Sequence, residues 1–339
     1  MQNSDHPYDG DPRRVRARRR KRRRTRRRAA GCLFSLLLFA GLGWFAARGL
    51  LDRFSNLPVQ PILNRLFPAE TEDITGTGLL DGIQSRAAVL TALDDGKEIA
   101  SLRADEELAP ASLTKLVSVY AALQLLGDPQ QTVTLDEELF PPLWEENASM
   151  AGLQPGETAP VLDLLYGALL PSGADACEGL AEAVGGESTL VDEMNRLAGQ
   201  LGMQHSSFKN PTGLDEAGHY STAADLTLLL RQALQDPTFR TVFSSWYYTS
   251  TEASAHPEGI TFQSTLATHR DQLRGEGWEV LGGKTGFTDA AGLCLATLAE
   301  VGEKEYLLVT LGAPGATASG TGHIEDAALV WSRLAEVEQ

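Results

Sequence analysis

The chain has 339 residues, with 45 Asp+Glu against 29 Lys+Arg and a formal net charge of −16. That is enough chain for one large domain or two modest ones. Three cysteines, Cys32, Cys177 and Cys294, exclude a disulfide framework and show no metal-ligand spacing. Cys177 and Cys294 read as two buried free thiols, with a bridge between them as the alternative.

The charge is divided unevenly. Residues 1–28 hold 13 Lys+Arg against 3 Asp+Glu, and the remaining chain holds 16 against 42. The basic block alone suits nucleic acid or an anionic membrane surface. Ala30 to Leu51 follows it with no acidic residue and Arg48 as its one charge. As a helix, those residues span roughly 33 Å, about the thickness of a bilayer's hydrocarbon layer. This favours lipid contact over nucleic acid, so no nucleic-acid partner is expected. The positive flank marks the cytoplasmic side, which places everything after Leu51 outside. A cleaved signal peptide is the rival, but its apolar core is usually shorter and ends in small residues. The expected organisation is a basic cytoplasmic tail (1–29), a single-pass transmembrane anchor (30–51), a proline-bearing linker (52–74) and a catalytic domain (75–339).

Arg86 to Leu93 and Glu98 to Leu102 read as strands around an Asp95-Gly96 turn. Leu113, Leu116, Val117, Tyr120 and Leu123 then recur at helical spacing, and Gly127 with Asp128-Pro129 ends the run. Thr132 to Leu135 suits a short strand, and Trp144 to Gly156 looks irregular. Val161 to Leu170 predicts a buried helix stopped by Pro171. Further helices are expected over 174–184 and 190–201. Another starts at Thr222, where Asp225 completes an Asp variant of the capping box, and runs to Gln235. Residues 241–277 lack firm periodicity and read as strands and loops. Val280 to Gly286, Gly292 to Leu298 and Glu305 to Leu311 predict strands, and 324–337 a closing helix. Strands, helices, strands and a helix in that order imply an α+β domain with an antiparallel sheet.

If the run from Leu113 to Leu123 is a helix, Ser112 lies in its first turn and Lys115 one turn later, and residues three apart share a face, so the amine can reach the hydroxyl. A serine hydroxyl needs a base to become a nucleophile, and a lysine serves only if its pKa is lowered. Taken alone, Ser-x-x-Lys more often marks a solvated pair on an ordinary helix, and Ser172-Gly173 a helix–helix turn. Ser112-x-x-Lys115, Ser172-Gly173-Ala174 and Lys284-Thr285-Gly286 together match the ordered set of penicillin-binding proteins and serine β-lactamases. No Gly-x-Ser-x-Gly elbow, His-Glu-x-x-His motif or phosphate loop competes, so neither metal nor cofactor is expected.

The chain further resembles the low-molecular-mass D-alanyl-D-alanine carboxypeptidases over about residues 75–338. Carrying that resemblance are Pro110-Ala111-Ser112-Leu113-Thr114-Lys115, Pro171-Ser172-Gly173, Asn210-Pro211-Thr212-Gly213-Leu214-Asp215, His219-Tyr220-Ser221-Thr222 and Lys284-Thr285-Gly286-Phe287-Thr288. It implies a β-lactamase/transpeptidase-like fold, a five-stranded antiparallel sheet flanked by helices with a helical subdomain.

The resemblance also implies roles. Ser112 would attack the carbonyl between the terminal D-alanines of a peptidoglycan stem peptide. Lys115 would take its proton, and Ser172 would relay one to the departing D-alanine. Lys284, helped by Thr285, would hold the terminal carboxylate, and Gly286 would let the strand edge lie against the peptide. The backbone N–H groups of Ser112 and Phe287 would bind the oxyanion. β-Lactam antibiotics would inhibit by acylating Ser112, and His219 would be structural. Two departures stand out: Ala174 occupies the place of the family's usual Asn, and the chain ends soon after the predicted last helix. The alternatives are a class A-like β-lactamase, against which Ser172-Gly173-Ala174 speaks, and a catalytically impaired binder of cell-wall peptides. Hydrolysis and transpeptidation share the acyl-enzyme and are not separated by sequence.

Overall fold

The computed structural model describes residues 77–253 and 255–338. The basic tail, the apolar stretch 30–51, the linker and Cys32 lie outside the described residues. Among the described residues, no helix is long and apolar enough to cross a membrane.

β1 (Ala87–Ala92) and β2 (Glu98–Leu102) form the hairpin expected around Asp95-Gly96. A 3-10 turn, Ala111–Leu113, leads into α1 (Thr114–Leu125). Ser112 therefore sits just before the helix, not inside its first turn. The cause is Ala111, whose φ of +48° lies outside the right-handed helical region. Every residue of α1 from Thr114 to Ala122 is buried, including both Thr114 and Lys115, so α1 runs through the middle of its layer instead of lying on one face.

β3 (Thr132–Thr134) pairs with β4 (Thr158–Pro160), and α2 (Phe140–Glu145) with the loop 146–157 lies between them. α3 (Val161–Leu169), α4 (Ala174–Ala183) and α5 (Glu187–Leu201) complete the helical layer around α1. α6 (Ala223–Ala233) begins as the capping pattern predicts, with Asp225 N–H donating to Thr222 Oγ1 at 3.0 Å. α7 (Pro237–Phe243) was not expected. Asp236 caps it by accepting from the N–H groups of Thr238 and Phe239, and Pro237 fills the first helical position, where a missing N–H costs nothing.

Next come the hairpin β5 (Tyr247–Thr249) and β6 (Thr261–Gln263), a 3-10 stretch over Ala267–Gln272, and β7 (Arg274–Gly275). β8 (Trp278–Thr288), β9 (Gly292–Val301), β10 (Lys304–Ala313) and α8 (Gly322–Glu338) close the domain. The main sheet has the order β2-β1-β10-β9-β8-β7 and is antiparallel throughout. It is the expected five-stranded sheet with one two-residue edge strand added.

β9 and β10 are apolar on both faces because both faces are covered. Leu295, Ala299 and Val301 pack with Ile324, Ala327 and Trp331 of α8. Cys294, Ala296 and Leu298 face the helical layer, with Leu116, Leu165 and Leu229 in the same cluster. Alternation along one strand thus builds two cores. Lys284 pairs in register with Ala296, whose side chain belongs to the helix-facing core. A lysine is thereby delivered to a wholly buried position at the seam between sheet and helices.

Candidate active site

Ser112 is held by an unusual backbone. Ala111 sits at φ +48°, and the loop 210–213 presses on it from outside. Gly213 has φ +80°, and a Cβ there would stand 2.0 Å from the Ala111 carbonyl oxygen, so only glycine fits. On the other side β8 passes close: a Cβ on Gly286 would lie 3.0 Å from the Ser112 nitrogen and 3.1 Å from Ala111 Cβ. The nucleophile candidate is thus wedged between a loop and a strand, each of which can approach because a side chain is missing.

Lys115 Nζ lies 3.2 Å from Ser112 Oγ and donates to the Thr212 carbonyl at 2.5 Å. The same loop takes the Ser118 hydroxyl on the Pro211 carbonyl at 2.7 Å. Burial pushes the Lys115 pKa below its ordinary value, against weaker opposing fields from Cys177, Asp175 and Glu178. Burial also pushes the Cys177 thiol up to about 12, so at neutral pH it carries no charge with which to hold a cation. The Lys115 amine thus has two features that a base requires: a lowered pKa and a hydroxyl within reach.

Lys284 is entirely buried, and Nζ donates to Ser172 Oγ and to the Thr285 carbonyl, both at 2.8 Å. Its pKa falls well below the ordinary value, through burial first and repulsion from Lys115 second. Ser172 holds φ +66° in the break between α3 and α4. That strained turn is pinned by Gly173 N–H to the Gly167 carbonyl at 2.9 Å and by Ala174 N–H to the Ser149 carbonyl at 2.7 Å. Strain of this kind persists only where surrounding bonds over-determine it, as here.

The structure therefore brings Ser112, Lys115, Ser172, Lys284 and Gly286 to one place. Thr285 is beside them, its hydroxyl donating to Thr265 Oγ1 at 2.7 Å, and Phe287 follows on the same strand. His219 is a packing residue: Lys209 N–H donates to its Nδ1, and Nε2 lies 2.8 Å from Thr114 Oγ1. Burial drops its pKa to about 4, so the ring stays neutral. A cavity of about 250 Å³ opens beside Ala111, lined also by Gly213, Leu214, Asp215 and Ala290. Among the described residues, no three His, Cys, Asp or Glu side chains gather at a common point.

Three contributors carried no role in the sequence. The Thr212 carbonyl orients Lys115, but a backbone acceptor has no residue-type signature. Asp175, directly after the Ser172 motif, accepts four N–H groups, from Ala151, Gly152, Leu153 and Ala176, at 2.7–3.1 Å. Burial raises its pKa, and those four donors oppose the rise. Thr265 lies in a stretch without periodicity, and nothing local marks it. Ala174 is 1% exposed and presents no amide to the site.

The family model for D-alanyl-D-alanine carboxypeptidases matches residues 75–315. The chain is 32% identical over 235 residues to D-alanyl-D-alanine carboxypeptidase DacF of Bacillus subtilis, covering 68% of this chain and 58% of that protein. It is 32% identical over 240 residues to DacC of Escherichia coli, covering 68% and 57%. The crystal structure of the Streptomyces K15 DD-transpeptidase superposes with a TM-score of 0.66 at 25% identity, covering 74% of this chain and 97% of that one. This chain thus spans somewhat under two thirds of the length of those two curated relatives. With the family's three motifs converging on one cleft in the penicillin-binding, transpeptidase-like fold, the chain belongs to the D-alanyl-D-alanine carboxypeptidase family.

Proposed function

We propose that the chain is a serine-type D-alanyl-D-alanine carboxypeptidase that removes the terminal D-alanine of peptidoglycan stem pentapeptides. The observation that carries this reading is a pair of buried lysines flanking one serine, with hydroxyls and carbonyls as their hydrogen-bond acceptors. Two such amines cannot both be charged cheaply. An anionic substrate resolves the conflict. Its terminal carboxylate next to Lys284 and Thr285 raises the Lys284 pKa and fixes the proton there. The resulting cation holds Lys115 neutral, so substrate binding itself prepares the base.

Ser112 then attacks the carbonyl between the two D-alanines while Lys115 takes the hydroxyl proton. Negative charge develops on the carbonyl oxygen between the backbone N–H groups of Ser112 and Phe287. The Ser172 hydroxyl, which accepts from Lys284, passes its own proton to the departing D-alanine nitrogen and takes in exchange the one that Lys115 received from Ser112, so that Lys115 is neutral again. The ester on Ser112 is released by water, Lys115 again serving as base. A β-lactam follows the first half of this path and stalls as an acyl-enzyme. Gly286 leaves the β8 edge open for the extended peptide.

The Escherichia coli and Bacillus subtilis relatives carry the same activity in their names, which supports hydrolysis over the binder and β-lactamase alternatives. We further propose that residues 30–51 anchor the chain in the cell membrane with the catalytic domain outside. Incubation of the purified chain with a peptide ending in D-Ala-D-Ala tests the main reading. Stoichiometric free D-alanine and the shortened peptide are expected; tight binding without release would leave an impaired binder instead.

A further inference from the structure

One segment outside the motifs fastens both walls of the cleft. Its inner end is Thr265, whose N–H donates to the Leu170 carbonyl at 3.0 Å, two residues before Ser172. Its hydroxyl meets Thr285 Oγ1 at 2.7 Å. The segment's middle is the β5–β6 hairpin, riveted to α3. Tyr248 stacks on Tyr166 with centroids 3.6 Å apart and donates to Asp163 at 2.6 Å, and Thr251 N–H reaches the same carboxylate at 2.9 Å.

The hairpin's far end reaches the other side of the Ser172 turn. His256 Nε2 stands 3.1 Å from the Gly152 carbonyl and 3.6 Å from Glu157 Oε2. A carbonyl accepts only from a protonated nitrogen, so Nε2 carries hydrogen. Glu157 is 5% exposed and also accepts Gln154 N–H at 2.8 Å, closing the loop on itself. Gly152 is the middle of the three consecutive residues whose N–H groups Asp175 gathers. That loop is packed directly on the Ser172-Gly173 turn: a Cβ on Gly173 would stand 2.6 Å from Ala151 Cβ.

We propose that His256 is a positioning residue of the active site. By its bond to the Gly152 carbonyl it holds the 150–157 loop down on Asp175, and the loop in turn holds the Ser172 turn against Lys284. His256 touches neither Ser112 nor Lys115 through any hydrogen bond described. It acts through Gly152, Asp175 and the Ser172 turn. The catalytic consequence rests on the proposed acyl-enzyme chemistry, whereas the mechanical consequence does not.

The test compares the full-length chain with His256→Ala and His256→Gln, since a glutamine amide can donate to Gly152 without a charge. Amide hydrogen exchange at Ala151, Gly152 and Leu153 reads the mechanical step. His256→Ala is expected to speed exchange there about three- to tenfold, and His256→Gln to return it to near the starting value. Covalent labelling by fluorescent penicillin is expected to slow by a similar factor in His256→Ala and to recover in His256→Gln, with the melting temperature within about 2 °C throughout. Unchanged exchange at those amides in His256→Ala overturns the proposal, and so does a glutamine variant no better than the alanine one. A starting chain that takes no penicillin speaks against the proposed function, and the exchange data still decide the role of His256.

Discussion

Lys284 Nζ and Ser172 Oγ stand 2.8 Å apart although 112 residues separate them in the chain. That bond joins the edge of the sheet to the break between two helices, and the cleft exists because both elements supply one end of it. It also burdens the fold, because an amine is buried there with no carboxylate hydrogen-bonded to it among the described residues.

Ser112→Ala is expected to abolish covalent labelling by fluorescent penicillin while leaving the melting temperature within about 2 °C. A labelled alanine variant would remove Ser112 from the chemistry.

The pH dependence of labelling follows from Lys115. Its active form is the neutral amine, and burial lowers its pKa from 10.5. The acylation rate should rise with pH through that lowered value and be half-maximal below 10.5. Lys115→Arg, charged at every accessible pH, should reduce the rate by about 10³ or more without restoring it at high pH. A rate independent of pH from 5 to 10 would count against a lysine base.

Lys284→Met should trade activity for stability. The folded-state pKa is lowered, so the unfolded chain binds more protons than the folded one between that value and 10.5. The destabilisation is full at pH values below the lowered pKa and vanishes as pH rises past 10.5. The variant is therefore expected to melt about 2–4 °C higher at pH 7, with the gain shrinking toward pH 10. D-alanine release should fall by about a hundredfold or more. Equal melting curves at pH 7 and pH 10 would contradict this account.

Gly213→Ala and Gly286→Ala should fail differently. At Gly213 the new Cβ meets the Ala111 carbonyl at 2.0 Å and the backbone has φ +80°, so the cost is global, about 2 kcal/mol or more, and is read as a lower denaturation midpoint. At Gly286 the nearest atom is 3.0 Å away, so stability should change by under about 1 kcal/mol. Labelling by penicillin should still drop about tenfold, because the added methyl crowds Ser112 and narrows the strand edge.

Asp175→Asn keeps the shape but turns an amide toward N–H groups that now meet a carboxylate. Two donors lose their acceptor in a buried place, which should cost about 2–3 kcal/mol. Chemical denaturation measures it, and an unchanged midpoint would mean that the loop 151–153 finds other partners.

The sequence alone determined the order of the main strands and helices, the apolar character of β9 and β10, the Thr222 cap and the three motifs. Each of these is written in periodicity or in residues a few positions apart, where local sterics and hydrogen bonding act. It missed the six-residue α2 and also α7, whose short Asp236-Pro237 start falls between the predicted helix end at Gln235 and the aperiodic stretch 241–277, and it placed Ser112 inside a helix that in fact begins two residues later. The tertiary structure alone decided that Lys115 and Lys284 share one buried site, that the Thr212 carbonyl aims the first, and that Asp175 and Thr265 brace the second wall. Those relationships depend on the packing of elements about a hundred residues apart, and on desolvation, which no single segment carries in its own residues.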